Sequence, residues 1–469
     1  MKKTIVIISA IFVVTLTGVL LNVPDTTGDV KTDVVIIGSG GAGLSAAIEV
    51  ASKGVKVIVV EKNSSAGGNT NSANGMSTAR SEKGMTEEES IEAFFNHTME
   101  GGHNLNNPEL VRILASKSIE IPGWVAGLEA NIRSLDENHV TFGSRLVDIL
   151  KKNCELLSVD LRLNTKAIAI LTEKNKISGI EVEAANGKRY HIHAKAVIIA
   201  SGGFGANKKL VIKHNPALEG FATTNQQGTT GDALQLVENL NVALVDMEQI
   251  QTHPTVVAGR QTTITEGMRS AGAILINHDG RRFVNETSTR DVVSKAILEN
   301  ESKTAFLIFD SAIAQKMKLA NQYISEGYVT EAASIGDLAA KTGMNIAETE
   351  NTVAKYNLLA KDGTDNEFGR PRIQPLKQAP FYAVEVTPAI HYTMGGIKIN
   401  GNAEVIDNEN KIIAGLFAAG EVTGGIHGAN RLGGNSITNI IVFGRIAGQN
   451  AATYFNRMSL AEVTYNPVQ

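Results

Sequence analysis

The stretch DVVIIGSGGAGLSAAIEVASKGVKVIVVEKN, residues 33 to 63, constrains the fold more than any other part of the chain. A short apolar run, Val34 to Ile37, leads into Gly38-x-Gly40-x-x-Gly43. The next segment has helical spacing through Ala47 and Val50, and a second apolar run, Val55 to Val60, ends at Glu61. Strand, glycine turn, helix, strand and acid in that order predict a dinucleotide-binding βαβ unit. Gly38 allows the tight turn, Gly40 admits a pyrophosphate, and Gly43 lets helix and strand pack closely, while the helix N-terminus faces the phosphate charge. Glu61, with Lys62 beside it, can accept both ribose hydroxyls, and an acid there disfavours a 2′-phosphate.

Glu61 is followed by SSAGGNTNSANGM, which supplies Gly68, Asn69, Thr70, Gly75 and Met76 as small or polar groups suited to a flavin's ribityl and diphosphate region. A further strand is expected from Lys195 to Ala200, ending in SGGFG with Gly202, and TTGDALQL, residues 229 to 236, places a turn before a helix and brings in Asp232. The strand–acid–glycine pattern returns in IIAGLFAAGEVTGG, residues 412 to 425, with Glu421. A helix then begins near Ser436 and Ile437, its free N–H groups available to the flavin. The expected fold is α/β, a Rossmann-like FAD-binding domain over residues 30–247 and 392–469, interrupted by an inserted α+β capping domain over 248–391. Within the insertion, GAILINHDGRRFVNE, residues 272 to 286, reads as strand, Asp-Gly turn, strand. Residues 288 to 300 and 332 to 358 favour helices, and RPRIQPLKQAP is a proline-punctuated connection.

A chain of 469 residues with 43% hydrophobic side chains can support more than one such core. Its net charge of -4 gives no electrostatic reason for a nucleic-acid partner. The one cysteine, Cys154, excludes an internal disulfide, a CxxCH haem attachment and a cysteine-ligated cluster, so any redox centre is non-cysteinyl and no metal is expected. Residues 1–29 open with two lysines and an apolar run from Ile5 to Val23, an export signal or membrane anchor followed by a linker, without a clean cleavage site. Such a leader would leave the catalytic part outside the cytoplasm.

Charge-capable residues recur at the joins between predicted segments: His253 in THPT, Thr265, Glu266 and Arg269 in TEGMR, Arg290 in STRD, His391 in HYTMGG, and Arg431 in HGANRLGG. Several cations in one interdomain cleft would select an anionic, carboxylate substrate. The ordered set THPT, TEGMRSAGAILINHDGRRFVNE, STRD, EVTPAIHYTMGG and AAGEVTGGIHGANRLGGNSI resembles the soluble fumarate reductases of flavocytochrome c type, within the succinate dehydrogenase and fumarate reductase flavoprotein family, from about Asp33 to the C-terminus. The resemblance implies noncovalent FAD, because GGNTNSANGM lacks the attachment histidine of membrane-complex relatives and no threonine motif for covalent FMN is present.

It further implies that His391 and Arg431 bind one carboxylate of fumarate, that His253 and Thr265 fix the other, and that Arg290 donates the proton. Glu266 and Arg269 would relay protons to Arg290, and His427 would be a structural partner in its turn. An external quinol oxidiser, cytochrome or flavin-bearing protein would supply electrons. Two departures from the family stand out. The segment from Ala130 to Leu146 is shorter than usual, and Thr263 replaces a customary methionine. Reduction of another enoate, such as urocanate or a cinnamate-like acid, and a catalytically silent FAD-binding protein remain alternatives at this level.

Overall fold

The computed structural model describes residues 28–80, 84–132 and 141–465. The expected leader, apart from Gly28 and Asp29, and residues 133–140 of the shortened loop lie outside the described residues. Among the described residues no helix is long and apolar enough to cross a membrane.

Four apolar runs form the centre of a six-stranded sheet ordered Glu404–Ile406, Ile412–Ala418, Ala196–Ile199, Val34–Ile37, Val57–Val60, Asp160–Arg162. The last five strands are mutually parallel, and the first pairs antiparallel. Every residue of Val34–Ile37, Val57–Val60 and Ala196–Ile199 is buried, the pattern of strands covered on both faces. Helix Gly41–Ala51 follows the first of these strands, and a Cβ at Gly43 would collide with the Gly38 carbonyl oxygen. The 31-residue helix Asn435–Tyr465 packs along it, where Cβ atoms at Gly444 and Gly448 would run into the Ala42 and Ala46 backbone. Those glycines let two helices approach almost backbone to backbone. Beside this body lies a four-stranded sheet ordered Val30–Lys31, Arg189–His193, Lys176–Ala184, Thr165–Glu173, which the sequence reading did not anticipate.

A second hydrophobic cluster, built from residues between Val257 and Val386, surrounds a five-stranded antiparallel sheet. Its long member Phe381–Thr393 pairs with Ile250–Val257, Ala305–Asp310 and Thr330–Ala332, and Ile274–Ile276 completes the sheet against Ala305–Asp310. Two expectations need correction here. The hairpin in residues 272–286 is half formed: its second arm makes an isolated bridge, Ile276 to Arg282, and no strand. Arg282 and Glu286 instead turn inward, fully enclosed, where Arg282 pairs with both Glu286 and Asp365 at 2.9 Å and Arg370 reaches Glu286 at 3.1 Å. The helical stretch expected over 332–358 is interrupted, forming Ile335–Thr342 and Ile346–Asp362, because Gly343 adopts φ 78° as a left-handed stop and Asn345 caps the next start.

Candidate active site

The glycine turn, the 3-10 segment Gly68–Ser72 and the strand ends border a cavity, open to solvent, of about 900 Å3 including that open space. Its lining includes Gly38, Gly40, Glu61, Lys62, Gly68, Asn69, Thr70, Gly202, Asp232 and Glu421. Gly43 does not line it and acts through packing, as described above. The Thr70 hydroxyl accepts from the Gly41 N–H at 3.1 Å, which locks the turn against the 3-10 segment. Lys62 pairs with Asp232 at 3.0 Å across the cavity mouth. Glu61 is buried, one oxygen accepting from the Ser39 N–H and hydroxyl, the other from the N–H and side-chain amide of Asn63. A Cβ at Gly68 or Gly202 would meet nothing within 4 Å, so open space lies along the backbone there. A trough lined by a buried acid, a helix N-terminus and bare glycine fits a dinucleotide such as FAD.

A small second cavity continues the trough, sharing Asn69, Thr70, Glu421 and Ile440 with it, and also meeting Ser436 and Ile437. It passes Thr224, His391 and Arg431 into a third, wider cleft of about 1040 Å3. Gly75 and Met76, expected at the cofactor, line this third cleft and not the nucleotide cavity. So do His253, Thr265, Glu266, Arg290, His391 and Arg431, together with Thr263. These residues, scattered between His253 and Arg431 along the chain, therefore converge on one opening, with Arg269 outside its lining.

Arg290 begins helix Arg290–Leu298 and is buried. Its Nε and Nη2 donate to the two Glu266 oxygens at 2.7 and 2.9 Å, a bidentate pair, and its Nη1 donates to Gln251 Oε1 at 2.9 Å. Burial by itself would raise the Glu266 carboxyl, but Arg290 outweighs it and holds the group well below the usual carboxylate range. Arg269 reaches Glu266 more loosely at 3.5 Å and donates to the Glu286 backbone carbonyl at 2.6 Å. Burial lowers its guanidinium to about 10, which leaves it cationic near neutrality. Thr265 caps helix Glu266–Ser270, and its N–H donates to the Tyr323 hydroxyl at 3.2 Å.

On the other side, burial and then the like charge of Arg290 lower Arg431 to about 9. The Arg431 guanidinium lies 4.8 Å from the Tyr392 ring centre, and its Nε has no hydrogen-bond partner although buried. Its Nη1 donates to the Leu432 carbonyl at 3.3 Å, and a buried guanidinium on a cleft wall with donors still to place is poised for an anion. His253 and His391 stack at a tilt, centroids 5.1 Å apart, and burial, then Arg290, keep both imidazoles neutral at ordinary pH. The Thr224 hydroxyl lies 2.7 Å from His391 Nδ1. His427 faces Asn439 at 3.2 Å and the edge of Tyr392, away from the cleft's lining, as a structural partner in its turn.

Sequence reasoning missed Gln251, which ties the two sides together. Its amide donates to Asn430 Oδ1 and the Arg431 carbonyl at 2.6 and 2.8 Å while its oxygen accepts from Arg290. The glycines of HGANRLGG also gain specific reasons. Gly428 (φ 56°) and Gly434 (φ 80°) hold left-handed turns, and a Cβ on Gly433 would collide with Glu266 Oε2. Gly433→Ala should therefore displace Glu266 from Arg290 and lower turnover by about 10²-fold while leaving FAD content intact. Steady-state rates alongside the flavin absorbance check this, and an unchanged rate would detach the loop from the Glu266–Arg290 pair.

Glu421 stands at the junction of the nucleotide trough and the second cavity, accepting from the Thr393 N–H at 3.1 Å. Burial pushes its carboxyl from 4.5 up to about 7 against that hydrogen bond. The folded protein thus retains a proton that the unfolded chain releases, so this contribution to stability is complete below pH 4.5 and is lost as pH rises to about 7. Thermal unfolding of Glu421→Gln should accordingly decline less between those two pH values than the parent does. Parallel profiles would show that another group titrates.

The fold and the connected cavities define the class, an FAD-dependent oxidoreductase. The FAD binding domain family matches residues 33–136 and 125–437. The chain is 42% identical over 440 residues to a fumarate reductase (cytochrome) of Shewanella frigidimarina, covering 90% of this chain and 77% of that one. It is 35% identical to a urocanate reductase of Eggerthella lenta, covering 90% and 74%. A solved structure of the open conformation of a flavocytochrome c3 fumarate reductase superposes with a TM-score of 0.75 at 36% identity, covering 91% of this chain and 79% of that chain. The chain belongs to the fumarate reductase flavoprotein family.

Proposed function

We propose that the chain reduces the carbon–carbon double bond of fumarate to give succinate. The observation that carries this reading is the pair of buried cations, Arg290 and Arg431, lining one cleft with neutral His253 and His391 and joined by a narrow cavity to the nucleotide trough. When bound, reduced FAD supplies a hydride to one alkene carbon. Arg431 and His391 hold one carboxylate, and His253 and Thr265 hold the other. Negative charge growing on the second alkene carbon and its carboxylate is met by Arg290, which gives that carbon a proton. Guanidinium is a poor acid, so the transfer is coupled to reprotonation: Glu266, hydrogen-bonded to two Arg290 nitrogens, passes a proton received by way of Arg269.

Residues 248–391 act in this reading as a cap that excludes water from the reacting pair. Noncovalent FAD is held by Gly38, Gly40, Glu61, Lys62, Gly68, Asn69, Thr70, Gly202, Asp232 and Glu421, with Ser436 and Ile437 beside the narrow cavity. A separate carrier, a quinol oxidiser, a cytochrome or a flavin-bearing protein, delivers the electrons on the extracytoplasmic side.

The presence of Thr263 on the cleft wall favours one second reading, reduction of a different enoate. Anaerobic turnover of FAD-loaded protein with reduced methyl viologen separates the two. Fumarate-dependent oxidation well above that with urocanate or a cinnamate-like acid is the expected result. Preference for either of those acids would reassign the substrate, and no turnover with bound FAD would leave a silent flavoprotein.

A further inference from the structure

We propose that Asp29, His191 and His193 form a surface site for a divalent transition-metal ion of the zinc type, remote in function from the flavin cleft. No metal was expected from the sequence, in which Asp29 stands 162 positions before His191. The sheet brings them together. His191 and His193 are two apart on strand Arg189–His193 and project from the same face. Asp29 directly precedes Val30–Lys31, which pairs in parallel with that strand, Val30 opposite Ile192 and Lys31 opposite His193.

The carboxylate is fixed before any ion arrives. The His191 main-chain N–H donates to Asp29 Oδ1 at 3.0 Å, which aims Oδ2 between the rings. Oδ2 lies 3.4 Å from His191 Nδ1 and 3.5 Å from His193 Nε2, and the three atoms all fall within 4.8 Å of one another. Two ligands each at about 2.0–2.2 Å from a tetrahedral zinc are about 3.3–3.6 Å apart, so both carboxylate–imidazole edges already have the length a shared ion requires. Both edges are long for direct hydrogen bonds. The side chains are 42%, 42% and 57% exposed, so an ion can reach them and water can complete the coordination. Glu181, the register partner of His191, leaves the sheet on the same face and adds negative charge nearby. Two imidazoles with one carboxylate select zinc, cobalt or nickel over calcium or magnesium, which prefer all-oxygen sets. The ion would tie Asp29, just ahead of edge strand Val30–Lys31, to the neighbouring strand Arg189–His193.

Zinc chloride titrated calorimetrically into untagged, FAD-loaded, full-length protein should give one site with a dissociation constant of about 1 μM. His191→Gln and His193→Gln should each weaken it by about 10–100-fold, and Asp29→Asn should weaken it similarly. Cobalt should produce visible ligand-field bands that disappear in the double histidine variant. Reductive turnover and flavin absorbance should stay at parental values in all these variants, which reports that they fold. Failure of the parent to take up zinc would overturn the proposal, as would equal uptake by the double histidine variant.

Discussion

Arg290→Lys should lower reductive turnover by about 10²–10³-fold or more, chiefly in kcat, with FAD content unchanged. The reason is a count of donors. Arginine offers five N–H groups in a planar fork. Three are committed in the structure: Nε and one Nη2 hydrogen to Glu266, and one Nη1 hydrogen to Gln251. Two remain for the cleft. Lysine has three donors on one atom and cannot engage both Glu266 oxygens and Gln251 while still addressing an alkene carbon. Its charge would survive while its geometry would not, so the variant separates electrostatic attraction from proton delivery. Single-turnover reoxidation of the reduced flavin with fumarate is the measurement. A rate close to the parental one would remove Arg290 from the proton-donor role and leave it as an anion binder.

Glu286→Ala should destabilise the protein by about 3–5 kcal/mol, the usual cost of leaving a buried charge unpaired. Glu286 is completely buried and binds Arg282 through two hydrogen bonds of 2.9 Å, Arg370 at 3.1 Å and the Leu275 N–H at 3.2 Å. Its removal leaves Arg282 with Asp365 and takes from Arg370 the carboxylate with which it pairs. On the scale of roughly 2–4 °C per kcal/mol for units of 150–250 residues, the thermal midpoint should fall by about 10 °C. The damage would also reach the active site, since Arg370 donates to the Arg269 carbonyl and Arg269 donates to that of Glu286. Calorimetry of the FAD-loaded variant checks the first effect and turnover the second. A midpoint within a degree or two of the parent would mean that the two arginines find water or another acid.

The nucleotide-binding unit was legible because glycine, apolar runs and an acid must follow one another at fixed spacing for that turn to exist, and Val34–Ile37, Gly41–Ala51 and Val57–Val60 form where expected. The charged site was legible for another reason: His253, Glu266, Arg290, His391 and Arg431 each sit in a recognisable ordered motif. Neutral partners carried no such mark. Gln251 could have been found from strand alternation, since it stands two residues before His253. Thr224 could not, because only the bridge from Thr223 to Ile390 brings it to His391. The four-stranded sheet escaped notice because Thr165–Glu173 and Lys176–Ala184 are only partly buried and mix lysine and glutamate with their apolar residues. The break at Gly343 was readable, as a glycine stop followed by an asparagine cap, but the apolar periodicity on either side masked it.

Strand Phe381–Thr393 gives the molecule a common mechanical reference. Its first residues pair within the second core, His391 stands in the cleft, and two residues later the Thr393 N–H holds Glu421 beside the nucleotide trough. Tyr392 stands opposite Gln251 and Ile390 opposite Thr252, so His391 is the extra residue of a bulge, which turns the strand locally as it passes from the cleft to Glu421. The alignment between the reacting partners is therefore gauged by covalent bonds along a single extended backbone, and not by the accuracy with which two separately packed bodies happen to dock.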